Sequence, residues 1–288
     1  MTASVQQQWN PLFQTVTVDG RRIRVAVQGE GPVLLLLNGI GANIEMWAPL
    51  VRGLPGRRVV MFDFPGTGAS QALRRSRRMS GLARLVADLL EVLDVEQADV
   101  LGYSWGGALA QQLAHQHPER VRSLVLAATI PGIGGQPPAP WVVAAMATPT
   151  RYYSPRYLRV VSPLIFGTRL SVHDENHSAR RERPPTMRGY SQQLFALTGW
   201  SSLPFLAKLR VPTLVLSGEG DPLAPARNGR LLARRIRGAR LEVVRGGHLF
   251  LLQHPVEAAR LVHEFLTAQD AARQVDAGST QVATRSTT

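Results

Sequence analysis

The chain has 288 residues, 44% hydrophobic and 18% charged, with 33 Lys and Arg against 20 Asp and Glu and a formal net charge of +13. That balance suits a soluble α/β protein of one large domain or two small ones, and the zero cysteine count excludes disulfides, thiolate nucleophiles and cysteine metal sites. Apolar runs such as VLLLL (33–37) and VVAAMA (142–147) fall far short of the ~18 residues of a membrane span, so no transmembrane segment is predicted.

The N-terminal MTASVQQQWNPLFQTV lacks the basic cluster and the ~7–15-residue apolar stretch of a secretory signal, which predicts a cytoplasmic protein. IRVAVQ (23–28) alternates like a half-exposed antiparallel strand, and VLLLL reads as a strand buried on both faces. VVMFDF (59–64) is the next buried strand, followed by the turn PGTGAS and an amphipathic helix over 80–93. The unit repeats as strand ADVLG (98–102), helix WGGALAQQLAHQH ending at Pro118, and strand VRSLVLAA (121–128). From about 131 to 204 the alternation gives way to Pro-, Arg- and aromatic-rich sequence with helix-like pieces. TLVLSG (213–218), a helix around ARNGRLLARRI, the strand ARLEVV and a helix from Pro255 to about Thr267 complete the pattern. Alternating β and α elements with apolar strands predict a mostly parallel sheet flanked by helices. The domain reading is a core over 15–130 and 205–267, a helical cap over 131–204 inserted after the sixth strand, and a polar, disordered tail over 268–288.

The positive charge is carried by arginine, since Lys208 is the only lysine. Clusters at 74–78, 180–183 and 234–237 show no aromatic interleaving, so no nucleic-acid partner is expected.

GYSWG (102–106) fits G-x-S-x-G at a strand-to-helix junction, the context that motif requires. A sharp turn there would expose Ser104 Oγ at a helix N-terminus, with Gly102 and Gly106 removing side chains that would collide. A serine hydroxyl needs a base, and the base needs a third group to fix its tautomer. In this architecture the order is Ser, acid, His, each after a strand. The loop EGDPLAP after TLVLSG offers Asp221, with Glu219 as its competitor, and RGGHLF after ARLEVV offers His248. Oxyanion donors are expected from the backbone N–H of Trp105 and, in the loop NGIGAN after VLLLL, of Ile40.

Other features carry less. His115 and His117 close the helix after Ser104, His254 precedes a helix, and His263 lies in the last helix. HDENH (173–177) lacks the glutamate directly after the first histidine that H-E-x-x-H requires. Asp63 reads as a loop organiser, and neither GIGGQP nor PGTGAS is a nucleotide fingerprint. No metal and no cofactor is called for.

These elements resemble the α/β-hydrolase fold. LLLLNGIGANIEMW, GYSWGGALAQQLAHQHPERVRSLVLAAT, QLFALTGW, PTLVLSGEGDPLAP and GGHLFLL resemble, more narrowly, intracellular depolymerases of medium-chain-length poly(3-hydroxyalkanoates), from about residue 15 to 267. The resemblance implies a Ser104–His248–Asp221 triad and, as substrate, a storage polyester in cytoplasmic granules. The cap aromatics Trp141, Tyr152, Tyr153, Phe195 and Trp200 would then meet alkyl side chains or pack the cap on the sheet, and the arginines at 74–78 would face anionic lipid at a granule surface. The alternatives are a carboxylesterase or lipase for small soluble esters, C–C hydrolysis or perhydrolysis on the same triad, and a non-enzymatic receptor or granule-coat protein.

Overall fold

The computed structural model describes residues 8–170 and 182–285, with side chains described through residue 275. Eight strands form one sheet: β1 (Leu12–Val18), β2 (Arg21–Gln28), β3 (Val33–Leu37), β4 (Arg58–Phe62), β5 (Ala98–Tyr103), β6 (Val121–Ala127), β7 (Thr213–Gly218) and β8 (Arg240–Val244). Their order is β1-β2-β4-β3-β5-β6-β7-β8. The first two pairings, β1 with β2 and β2 with β4, are antiparallel, and the others are parallel.

The central strands carry near-continuous apolar runs because both of their faces are covered. Leu35, Leu37, Val60, Val100 and Leu126 point to one side, onto α2 (Met79–Val92) and α3 (Trp105–Gln116). Leu34, Leu36, Met61, Leu101 and Leu216 point to the other, where the short α1 (Ala48–Val51) and later elements of the chain cover them. Among the described residues, the helices between β6 and β7 are α4 (Pro140–Met146), α5 (Thr150–Tyr153), α6 (Pro155–Phe166) and α7 (Met187–Leu197). Ser154 caps α6 by accepting from Tyr157 N–H, and Thr186 caps α7 by accepting from Gly189 N–H. After β7 come α8 (Ala226–Arg235), then α9 (Phe250–Gln253) and α10 (Pro255–Arg285).

The structure departs from the sequence reading at both ends. The edge strand β1 was not predicted. Six of its seven residues are exposed or half-exposed, so it lacks a full apolar face. Its signal is the Asp19–Gly20 pair, with φ of 50° and 65°, which closes a two-residue hairpin onto β2. At the other end, the segment from 268 continues as helix to Arg285 rather than lacking structure. It is rich in helix-forming Ala, Gln and Arg, and polar contacts hold it: Arg57 Nη2 lies 2.6 Å from Asp270, and Arg273 donates to the Arg122 carbonyl at 2.9 Å.

Asp99 stands at the centre of that anchor, with no exposed surface. It accepts from Arg57 at 3.2 Å, Arg122 at 2.5 Å and Ser123 Oγ at 2.6 Å. Removing one partner of a buried charge group strands the others in low dielectric. Asp99→Ala is therefore expected to lower the unfolding free energy by about 3–5 kcal/mol, measured by urea denaturation. A loss below about 1 kcal/mol, the scale of an exposed ion pair, would show that the cluster does not anchor the helix.

Candidate active site

The β5 strand delivers Ser104 to the carboxyl edge of the sheet, and α3 starts at the next residue. The φ of 55° and ψ of −117° at Ser104 are values that L-residues rarely adopt. Such a conformation costs about 1–3 kcal/mol and persists only where the surroundings impose it. Here both backbone groups of Ser104 are tied to the end of β6: its N–H donates to the Ala127 carbonyl at 2.8 Å, and its carbonyl accepts from Thr129 Oγ1 at 2.7 Å. The flanking glycines permit the close approach. A Cβ on Gly106 would lie 2.1 Å from the Leu37 carbonyl oxygen, and one on Gly102 would lie 2.5 Å from the Gly106 carbonyl oxygen.

His248 and Asp221 reach Ser104 from the loops after β8 and β7. His248 Nε2 is 2.9 Å from Ser104 Oγ, and His248 Nδ1 is 2.8 Å from Asp221 Oδ2. Asp221 Oδ1 accepts the N–H groups of Leu223 and Ala224 at 2.9 and 2.8 Å, which orients the carboxylate and leaves Oδ2 for the imidazole. The imidazole is confined by its own backbone: His248 N–H donates to the Phe166 carbonyl, and its carbonyl accepts from the Tyr103 hydroxyl. Phe166 stacks on the ring at 6.1 Å between centroids. Both His248 and Asp221 are buried, whereas Glu219, the competing acid, is exposed.

The two expected oxyanion donors border the same space. Trp105 supplies the first N–H of α3, where no intrahelical acceptor exists. The Ile40 loop passes directly beside the serine, since a Cβ on Gly39 would lie 3.5 Å from Ser104 Cβ. This loop is held by residues between β6 and β7 that sequence reasoning did not place there. Tyr152 Oη donates to the Ile40 carbonyl at 2.6 Å, Arg151 Nη2 donates to it at 3.5 Å, and Gln193 Oε1 accepts Gly41 N–H at 2.9 Å. Gln193 also accepts the Trp105 indole N–H on its carbonyl at 2.9 Å, bridging both donor loops from α7. Its signal in the sequence is the pair Gln192–Gln193, polar residues interrupting the buried side of an amphipathic helix.

Ser104, Trp105 and Ile40 open into a cavity of about 390 Å³ whose walls are mainly aliphatic, with Ile130, Met146, Leu194 and Leu197 among them. Of the five cap aromatics singled out in the sequence, none lines this cavity. Tyr152 lines a smaller neighbouring one, Trp141, Tyr153 and Phe195 are exposed, and Trp200 is buried with its indole N–H donating to Gln112. Aliphatic side chains of α4 and α7 take the place expected for aromatics.

Asp63 organises loops: it accepts from Ile44 N–H, Ala69 N–H and Arg24. Burial raises its carboxyl, against the lowering pull of those three donors. His115 stacks on Phe205, and His117 lies 3.4 Å from Glu119, both away from Ser104. HDENH lies outside the described residues. Among the described residues no three His, Cys, Asp or Glu converge as a metal site, and no helix is long and apolar enough to cross a membrane.

Residues 32–255 match a family described as the alpha/beta hydrolase fold. A poly(3-hydroxyalkanoate) depolymerase of Ectopseudomonas oleovorans is 44% identical over 261 residues, covering 88% of this chain and 92% of that protein. Among solved structures, an enol-lactonase from Burkholderia xenovorans LB400 superposes with a TM-score of 0.75 at 27% identity, covering 88% of this chain and 100% of its own. An esterase from Exiguobacterium antarcticum superposes with a TM-score of 0.78 at 22% identity, covering 89% and 100%, a likeness of fold.

Proposed function

The chain belongs to the alpha/beta hydrolase fold family, and we propose that it is a serine ester hydrolase cleaving medium-chain poly(3-hydroxyalkanoate) or its oligomers to 3-hydroxy acids through an acyl-enzyme. The observation that carries this reading is the unbroken line Asp221–His248–Ser104 ending in an aliphatic cavity of about 390 Å³, a size within the range roughly 300–1,000 Å³ of small-molecule sites. The depolymerase similarity supplies the substrate class.

In this mechanism Ser104 Oγ attacks the ester carbonyl while His248 Nε2 takes its proton. Asp221 holds Nδ1–H and stabilises the imidazolium. The negative charge that develops on the carbonyl oxygen falls between Ile40 N–H and Trp105 N–H, donors worth about 2.7–4 kcal/mol each in such sites. The His248 proton then passes to the departing 3-hydroxyl, and water releases the acyl group from Ser104 by the same sequence.

A granule-surface contact belongs to the same proposal. Of the arginines at 74–78, Arg77 pairs with Asp19, and Arg78 donates to the Thr198 carbonyl at 2.6 Å and lies over the Phe195 ring. Arg74 and Arg75 keep exposed side chains that an anionic granule surface would attract.

The test is release of 3-hydroxy acids from amorphous medium-chain polyhydroxyalkanoate granules, with p-nitrophenyl octanoate as a parallel soluble ester. Hydrolysis of both is expected. Hydrolysis of the soluble ester alone would reduce the reading to a small-ester carboxylesterase.

A further inference from the structure

Arg151 in α5 is 4% exposed, and its guanidinium is surrounded by neutral groups. It donates to the Tyr190 hydroxyl at 2.7 Å, the Thr148 carbonyl at 3.3 Å and the Ile40 carbonyl at 3.5 Å, and it lies over the Tyr152 ring at 4.6 Å. Burial pushes the Tyr190 phenol up, against the lowering pull of Arg151, so that hydroxyl stays protonated and is no counter-ion. The other two buried arginines among the described residues differ in this respect. Arg24 holds Glu45 and Asp63, and Arg57 holds Asp99 and Asp270. Arg151 faces no carboxylate among the described residues. A buried cation without a counter-ion is costly, and proteins place one where a ligand brings the opposite charge or another compensation exists.

Its position names the ligand. Arg151, Tyr152, His248 and Ser104 line one cavity of about 20 Å³, far smaller than the aliphatic one and too small for an alkyl chain. That cavity shares Ile40, Ser104, Met146 and Leu223 with the 390 Å³ aliphatic one, so the two meet at the serine. A molecule bound there would put a hydrocarbon branch on one side of Ser104 and a small anionic head on the other. The last unit of a 3-hydroxy acid oligomer has this form: its ester oxygen and its free carboxylate are separated by two carbons, and its alkyl branch leaves from the first of them.

We propose that Arg151 binds the free carboxylate end of the chain, so that the enzyme cuts the ester bond next to that end and releases one 3-hydroxy acid per turnover. The proposal rests on the ester-hydrolase reading above. In the step itself the Ser104 Oγ–carbonyl bond forms and the ester C–O bond breaks. The proton from Ser104 passes through His248 to the leaving 3-hydroxyl. The departing acid carries the carboxylate held by Arg151, and the remainder of the chain stays on Ser104 until water releases it.

The test compares three substrates: the dimer of 3-hydroxyoctanoic acid with a free carboxyl, the same dimer capped as its primary amide, and p-nitrophenyl octanoate. The wild type is expected to prefer the free-acid dimer over the amide by roughly 10- to 100-fold in kcat/KM, the scale of a hydrogen bond to a charged group. In Arg151→Met that ratio should fall to about one, with Arg151→Lys between. Using the ratio cancels any loss from displacing the Ile40 loop. Equal loss on all three substrates would make Arg151 a positioning residue for that loop and overturn the proposal. Should Arg151→Met not fold, inhibition of the wild type decides: 3-hydroxyoctanoate must compete better than 3-hydroxyoctanamide, and equal inhibition would overturn the proposal. A wild type that hydrolyses none of the three would instead overturn the ester-hydrolase reading.

Discussion

Ester hydrolysis by Ser104→Ala is expected to fall by roughly 10⁶-fold in kcat, the loss seen when a triad nucleophile is removed. The reason is that His248 and Asp221 then have no oxygen to activate, although the cavity and the oxyanion donors remain. The fold should survive, because Ser104 is held through its backbone, by bonds to Ala127 and from Thr129, and its side-chain hydroxyl bonds to His248 Nε2. Ser104→Gly separates chemistry from strain. It should be as inactive as alanine yet more stable by about 1 kcal/mol, since glycine enters the φ 55° conformation without the 1–3 kcal/mol penalty but gains freedom in the unfolded chain. Steady-state rates and thermal melts on the three proteins check both parts. A residual rate within about 100-fold of wild type would point to another nucleophile, because triad variants keep only a small remnant of the rate.

The strands before Ser104 and Asp221 could be read from the chain because buried parallel strands are near-continuous apolar runs, and the more exposed strand before His248 because it completes the alternation of β and α elements. VLLLL, TLVLSG and GYSWG carry their structural meaning within a few residues. What surrounds these three residues could not be read in the same way. The bonds from Arg151 and Tyr152 to Ile40 span 111 and 112 residues, and that from Gly41 to Gln193 spans 152. No period or spacing in the intervening sequence sets those distances; they follow from how α5 and α7 lie over the sheet edge. The aromatics of that segment misled for a related reason. Composition gives their size but not their direction, and Trp141 and Tyr153 turn to solvent while Leu194 and Met146 line the cavity. The continuation of the last helix beyond Thr267 escaped because charged contacts on Asp270 and Arg273 hold that part, whereas the apolar residues that pack on the sheet, Leu261, Val262, Phe265 and Leu266, all precede it.

Asp221→Asn should lower kcat by about 10⁴-fold, the size of the loss when a triad histidine is held in the wrong tautomer, with the fold intact. The local hydrogen bonds give the direction. Leu223 N–H and Ala224 N–H both point at the Oδ1 position, where only an acceptor fits. An asparagine must therefore place its oxygen there and turn its NH₂ toward His248 Nδ1. That nitrogen becomes an acceptor, so the imidazole proton moves to Nε2 and points at Ser104 Oγ. An Nε2 that already carries a proton cannot take one from serine. Asp221→Ala removes the misdirecting amide along with the carboxylate, leaving the tautomer unbiased, so it should be less damaging than asparagine even though it removes more atoms. Comparing kcat for the two variants on p-nitrophenyl octanoate, with melting curves as a control on folding, tests this ordering. An asparagine variant more active than alanine would mean that Asp221 acts by filling space and not by fixing the proton on Nδ1.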